Sequence, residues 1–174
     1  MTNPATPNPR KDTCKLNTCK RNIFIGLDSD CVKDCKEGWE ANRQHCFFWS
    51  IASASWDEAE QTCQKEGGHL ASVTSNATNQ YILSGLDKRG IKENLWIGGR
   101  DSKEEGTWEW TDESAWEFSY WGPRRPNSDY RQNCLQYHGS FYNPLSPIFK
   151  YVWWDFECEE RSRFLCSQKL CSGE

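Results

Sequence analysis

A chain of 174 residues with a formal charge of −4 is long enough for one hydrophobic core and a modest extension, and too short for two ordinary domains. Ten cysteines and ten tryptophans beside an apolar share of only 36% fit a disulfide-stapled protein from an oxidising compartment. Acidic and basic residues are interspersed, which argues against nucleic acid as a partner, and no segment is apolar enough to span a membrane.

The first residues, Met1 to Pro9, lack the apolar core of a signal peptide, so a secretory protein with this start corresponds to a mature fragment. Residues 1–34 are polar, proline-bearing at the start and without periodicity, and form a Cys-bearing lead whose order depends on Cys14, Cys19 and Cys31. Within it the cations Arg10, Lys11, Lys15, Lys20 and Arg21 read as a solvated tail, with docking to an acidic surface as the alternative. The compact domain is expected over 35–174. Ser55-Trp56-Asp57-Glu58 opens an amphipathic helix with a serine cap, and Trp56 and Cys63 face inward from it. Gly67-Gly68 stops that helix, His69 to Val73 reads as a short strand, and a second helix follows around Asn79 to Leu83. Short strands are expected at 95–98, 107–110, 134–137, 152–155 and 164–166. Two helices followed by a strand-rich half predict an α+β fold. The stretch 112–133 is too long for an ordinary connection and is expected to be a functional loop.

The cysteine spacings, with Cys31 to Cys35, Cys14 to Cys19 and Cys166 to Cys171 as the shortest, lack the Cys-x-x-Cys pairs of zinc sites. His45, His69 and His138 have no zinc-protease spacing, and there is no nucleophile elbow or phosphate-cradling glycine loop, so nothing points to an enzyme. Asn76-Ala77-Thr78 is a glycosylation sequon, which favours an exposed, secretory surface.

Leu95-Trp96-Ile97-Gly98-Gly99-Arg100, Trp108-Glu109-Trp110-Thr111-Asp112, Cys134, Trp153-Trp154-Asp155 and Cys158 together resemble the second half of a C-type lectin-like domain. The likeness runs from about Cys35 to Cys166. It implies two helices, short antiparallel sheets and a long ligand-binding loop, with Cys35 paired to Cys46, Cys63 to Cys166 and Cys134 to Cys158. The Cys63 bridge would close a loop of about 100 residues and remove roughly 4.7 kcal/mol of unfolded-state entropy in the simplest model. Chain ends lie close together in this fold, so Cys171 is expected to join Cys31, leaving Cys14 to Cys19.

Relatives that bind sugar through calcium carry Glu-Pro-Asn or Gln-Pro-Asp in the loop, an acidic residue before the loop cysteine, and Trp-Asn-Asp in the next strand. Here those places hold Arg125-Pro126-Asn127, Gln132 and Trp153-Trp154-Asp155. Asn127, Gln132 and Asp155 are the residual candidate metal ligands, but calcium seeks roughly six to eight oxygens with net negative charge, and Arg125 brings a fixed cation. The expected cofactor is therefore none, or weakly bound calcium. Arg125 either takes the metal's place and pairs with Asp155, or stands exposed without a partner. Arg125, Asn127, Tyr130, Gln132, Trp154 and Asp155 form the candidate ligand-binding set. Tyr120, Trp121, Tyr130, Tyr142 and Trp154 add aromatics to the loop region, with Trp121 and Trp153 read as core, and Trp154 and Tyr130 divided between core and ligand surface.

The resemblance implies a secreted binding protein, or extracellular ectodomain, whose partner is a glycan or glycoprotein, with homo-oligomerisation through the lead as a route to avidity. Its rivals are a protein-binding receptor ectodomain and an ice- or mineral-binding protein on the same fold.

Overall fold

The computed structural model describes residues 31–101, 103–127, 129–139 and 151–171. Cys14, Cys19, their expected bridge and Tyr142 lie outside the described residues. The first helix, α1 (Trp56–Lys65), starts on the capping box expected from sequence, with Ser55 accepting from the Glu58 amide and Glu58 reaching back to the Ser55 amide. It stops where Gly67 takes a left-handed φ of 82° and the Gly68 amide donates to the Cys63 carbonyl at 3.0 Å. Trp56, Ala59, Glu60 and Cys63 are its buried face. Glu60 is tolerated there because its carboxylate accepts from the Leu70 amide at 2.8 Å and faces His69 Nδ1 at 2.6 Å.

The second helix, α2, runs from Asn76 to Arg89, well beyond the short stretch that sequence suggested. Its buried face of Asn79, Ile82, Gly85 and Leu86 mixes polar and small residues, which blurs the apolar period. Ser75 caps its start, and left-handed Gly90 ends it.

The strands are β1 (Cys31–Val32), β2 (Glu40–Asn42), β3 (His45–Trp49), β4 (His69–Leu70), β5 (Leu95–Arg100), β6 (Glu109–Trp110), β7 (Cys134–His138), β8 (Val152–Phe156) and β9 (Arg163–Leu170). The sheet order is β2-β3-β9-β5-β7-β8, with β1 and β4 also on β9 and β6 on β5. Most pairings are antiparallel, as expected, but β1 and β5 run parallel to β9. A parallel neighbour needs a long crossover, and β9 is separated from β1 by most of the domain and from β5 by the whole stretch between Arg100 and Arg163. Strand β1 also carries the packed unit back to Cys31, ahead of residue 35.

Four disulfides join the described cysteines: Cys31–Cys171, Cys35–Cys46, Cys63–Cys166 and Cys134–Cys158. Three of them are the pairings that the family pattern implied, and the fourth, Cys31–Cys171, is the one expected from the closeness of the chain ends. Gly98 in β5 is required by a close approach: a Cβ there would lie 2.5 Å from the Leu70 carbonyl oxygen.

An aromatic cluster seats the long loop on the sheet. Trp116 stacks on Trp110 at 4.5 Å between centroids, and Trp121 meets Trp153 edge-on at 5.8 Å. Backbone bonds complete the junction, since the Trp153 amide donates to the Tyr120 carbonyl at 2.8 Å and the Gly122 amide to the Trp153 carbonyl at 2.9 Å. Residues 120–122 therefore act as an extra edge of β8. Replacing Trp116 with Ala should destabilise the protein by about 3 kcal/mol, the low end for a large aromatic because the ring is only partly buried. Guanidinium unfolding would measure the loss, and near-UV circular dichroism should weaken as the indole stack is broken.

Candidate ligand-binding site

Alternation along β8 sets the site. Trp153 and Asp155 are fully buried, while Trp154, between them, is partly exposed beside the loop. The loop returns to β8 through the cis Arg125-Pro126 peptide, which brings Arg125 and Asn127 over Asp155.

There the Arg125 guanidinium donates through Nη1 to Asp155 Oδ1 at 2.7 Å and to Gln132 Oε1 at 2.8 Å. The second Asp155 oxygen accepts from the Asn127 amide at 2.6 Å. Asn127 Nδ2 donates to Gln132 Oε1 at 2.7 Å, and Asn127 Oδ1 accepts from the Asp129 amide at 2.8 Å. The Arg125 side chain is 14% exposed and that of Asp155 is 0% exposed, so their ion pair lies inside the protein. Both carboxylate oxygens have partners, as a buried charge requires.

This set does not fit a calcium ion. The oxygens of Asn127, Gln132 and Asp155 are aimed at protein donors, a guanidinium nitrogen sits between two of them, and one carboxylate is the only anionic ligand of the three. The alternative of Arg125 as an exposed, unpaired cation is not what the geometry shows.

Trp154 does not present an open stacking face. The Arg125 guanidinium carbon lies 4.0 Å from its ring centroid, and the His138 ring lies 4.3 Å away. His138 Nδ1 is 2.8 Å from Asn94 Oδ1; burial first, and the Arg125 charge second, hold this imidazole below its ordinary pKa. The aromatic group that does face solvent is Tyr130, at 77% exposure on the loop tip.

Arg125, Asn127, Gln132, Trp154 and Asp155 thus form one contact network, and Tyr130 stands outside it. Sequence reasoning omitted His138 and Arg124. The first announced itself only as an isolated imidazole, and the second precedes the position that the family motif marks. Asp101 is a further buried neighbour, held above the usual carboxylate range by desolvation, with a smaller push from the Asp155 charge. Nearby Glu105 is also raised, chiefly by desolvation and then by the charges of Asp101, Asp155 and Asp129.

The fold and the loop geometry define a C-type lectin-like domain, and residues 52–168 match the family described as Lectin C-type domain; the chain belongs to that family. Among its relatives is human C-type lectin domain family 17, member A, 32% identical over 127 residues. That match covers 72% of this chain but only 32% of the human protein. The galactose-specific lectin nattectin of Thalassophryne nattereri is 27% identical over 156 residues, covering 87% of this chain and 91% of nattectin. Among solved structures, a calcium-independent type II antifreeze protein superposes with a TM-score of 0.68 at 29% identity, covering 80% of this chain and 98% of that one.

Removing the guanidinium by Arg125→Ala should release the loop locally without unfolding the sheet. Removing one partner of a buried ion pair costs about 3 kcal/mol, or roughly 150-fold in local opening. Native-state hydrogen exchange should show that acceleration at the Asn127 and Gln132 amides, with the amides of β9 unchanged.

Proposed function

We propose that this chain is an extracellular C-type lectin-like binding domain, not an enzyme, which recognises a glycan or glycoprotein through its long loop without a bridging calcium ion. The observation that carries this reading is the Arg125 guanidinium lying between Asp155 and Gln132, where calcium-dependent relatives place metal ligands. A fixed cation supplied by the chain holds the loop at no cost in metal affinity. The names of two relatives, a human C-type lectin domain protein and the galactose-specific lectin nattectin, support glycan binding. The four disulfides among the described residues and the exposed Asn76 of the sequon support a secretory route. Among the described residues no helix is long and apolar enough to cross a membrane.

Single-site sugar affinities near millimolar correspond to about −4 kcal/mol, so avidity from several copies would be needed for firm attachment. Assembly through the N-terminal lead is the proposed source of those copies.

A glycan array probed in parallel with calcium and with chelator tests the reading. Equal binding in both arms is the expected result; binding lost in chelator would overturn calcium independence, and silence in both would overturn glycan recognition. A second check uses stability. The thermal midpoint of the natural chain should not move with millimolar calcium, whereas Arg125→Glu, which adds a carboxylate and removes the cation, should gain a calcium-dependent rise. No rise in that variant would count against a metal-like role for the guanidinium.

The likeness to a calcium-independent antifreeze protein favours one second reading, binding to an ice surface. An ice recrystallisation assay separates the two, since a glycan-binding domain should leave crystal growth unchanged.

A further inference from the structure

Arg125 uses only one nitrogen of its guanidinium in the network beneath it. Its bonds to Asp155 and Gln132 all run through Nη1, while Nε and Nη2 have no partner among the described residues. Those two donors form the side-on fork that matches the paired oxygens of a carboxylate or a sulfate. Neither is shut away in the protein, because no nitrogen of Arg125 is among the described buried atoms that lack a partner.

A second cation stands beside that fork. Arg124 is exposed, and it has no hydrogen bond or ion pair among the described residues. Successive residues of an extended chain point to opposite faces, but Arg124 takes a left-handed φ of 61°, and both arginines line one cleft. The cleft is about 430 Å³, within the range of small-ligand pockets, and Pro123, Asn127 and Trp154 complete its wall. Nearby anions are already engaged: Asp155 by Arg125 and the Asn127 amide, and Asp129 by Arg131 at 2.8 Å. One guanidinium fork and one whole guanidinium are thus left without a partner among the described residues, on two arginines that line an open cleft with Trp154.

We infer that this cleft takes an anionic saccharide, a sugar carrying a carboxylate or a sulfate ester, held by Arg124 and the free edge of Arg125. The inference rests on the glycan reading above and names the class of sugar. A neutral hexose would leave both guanidinium groups to water, whereas an acidic sugar would meet them with charge-assisted bonds. The acid group is the recognised feature; Pro123 and the edge of Trp154 flank the ring.

The test uses the full chain in chelator against polyacrylamide conjugates displaying N-acetylneuraminic acid, sulfated galactose or galactose. At least one acidic conjugate should bind about tenfold better than galactose, and the preference should shrink as salt rises. The carboxylate and sulfate arms identify which acid is read. Arg124→Gln, at an exposed position, should erase the preference, and Arg124→Lys should keep part of it. Galactose bound as well as the acidic conjugates would overturn the inference and leave the glycan reading standing. An unchanged preference in Arg124→Gln, or equal binding of an oligothymidylate, would also overturn it, the latter by showing unselective attraction to polyanions. Failure of every conjugate to bind would overturn the inference and the glycan reading together.

Discussion

The burial of Trp153 is the constraint on which the site depends. Its ring is fully buried and meets Trp110, Trp116, Phe118, Trp121 and Tyr137 edge-on. These partners come from two strands, β6 and β7, and from the long loop, so one side chain joins the sheet to a connection that would otherwise have to order itself. Ordering a loop of this length against its conformational entropy needs many apolar contacts. With Trp153 inside, the pleat of β8 fixes the rest: Asp155 turns into the protein beneath the loop, and Trp154 turns toward the cleft.

A buried ion pair then holds the loop on β8. Desolvating a guanidinium and a carboxylate is expensive, and their mutual attraction offsets that only when the remaining polar atoms are satisfied. The loop meets this condition from its own backbone and amides, through the Asn127 N–H on Asp155 and the Gln132 carbonyl shared by Arg125 and Asn127. The pair is better understood as a device of register than of net stability. It accepts one placement of Arg125, Asn127 and Gln132 and leaves others with an unpaired charge inside.

Much of this was legible in the sequence where local chemistry and covalent logic agree. Ser55 and Glu58 marked the start of α1, Gly67 its end, the family order of the cysteines implied three of the bridges among the described residues, and the closeness of the chain ends implied Cys31–Cys171. Strands β2 and β3 were missed because Glu40–Asn42 is polar and His45–Trp49 has no alternation. The extent of α2 was hidden because its inner face includes Asn79, whose Oδ1 accepts from the buried Tyr137 hydroxyl, and Gly85, which lies against Trp49. Within the site, the pairing of Arg125 with Asp155 was readable as one of two alternatives, whereas the stacking of His138 and Arg125 around Trp154 was not. That arrangement depends on the tertiary meeting of β7, β8 and the loop, which no local pattern encodes.

The bond between Cys31 and Cys171 has a mechanical consequence. With the two Cα atoms 5.0 Å apart, any pull applied between the chain ahead of Cys31 and the chain beyond Cys171 passes through a covalent link and not through the sheet. The hydrogen-bonded strands carry no load, so tension of that kind cannot unzip β9 or tear the loop from its aromatic seat while the disulfide is intact. Reduction of this one bond would convert a force-blind domain into one in which β1 and β9, as the terminal strands, are the first to feel a pull.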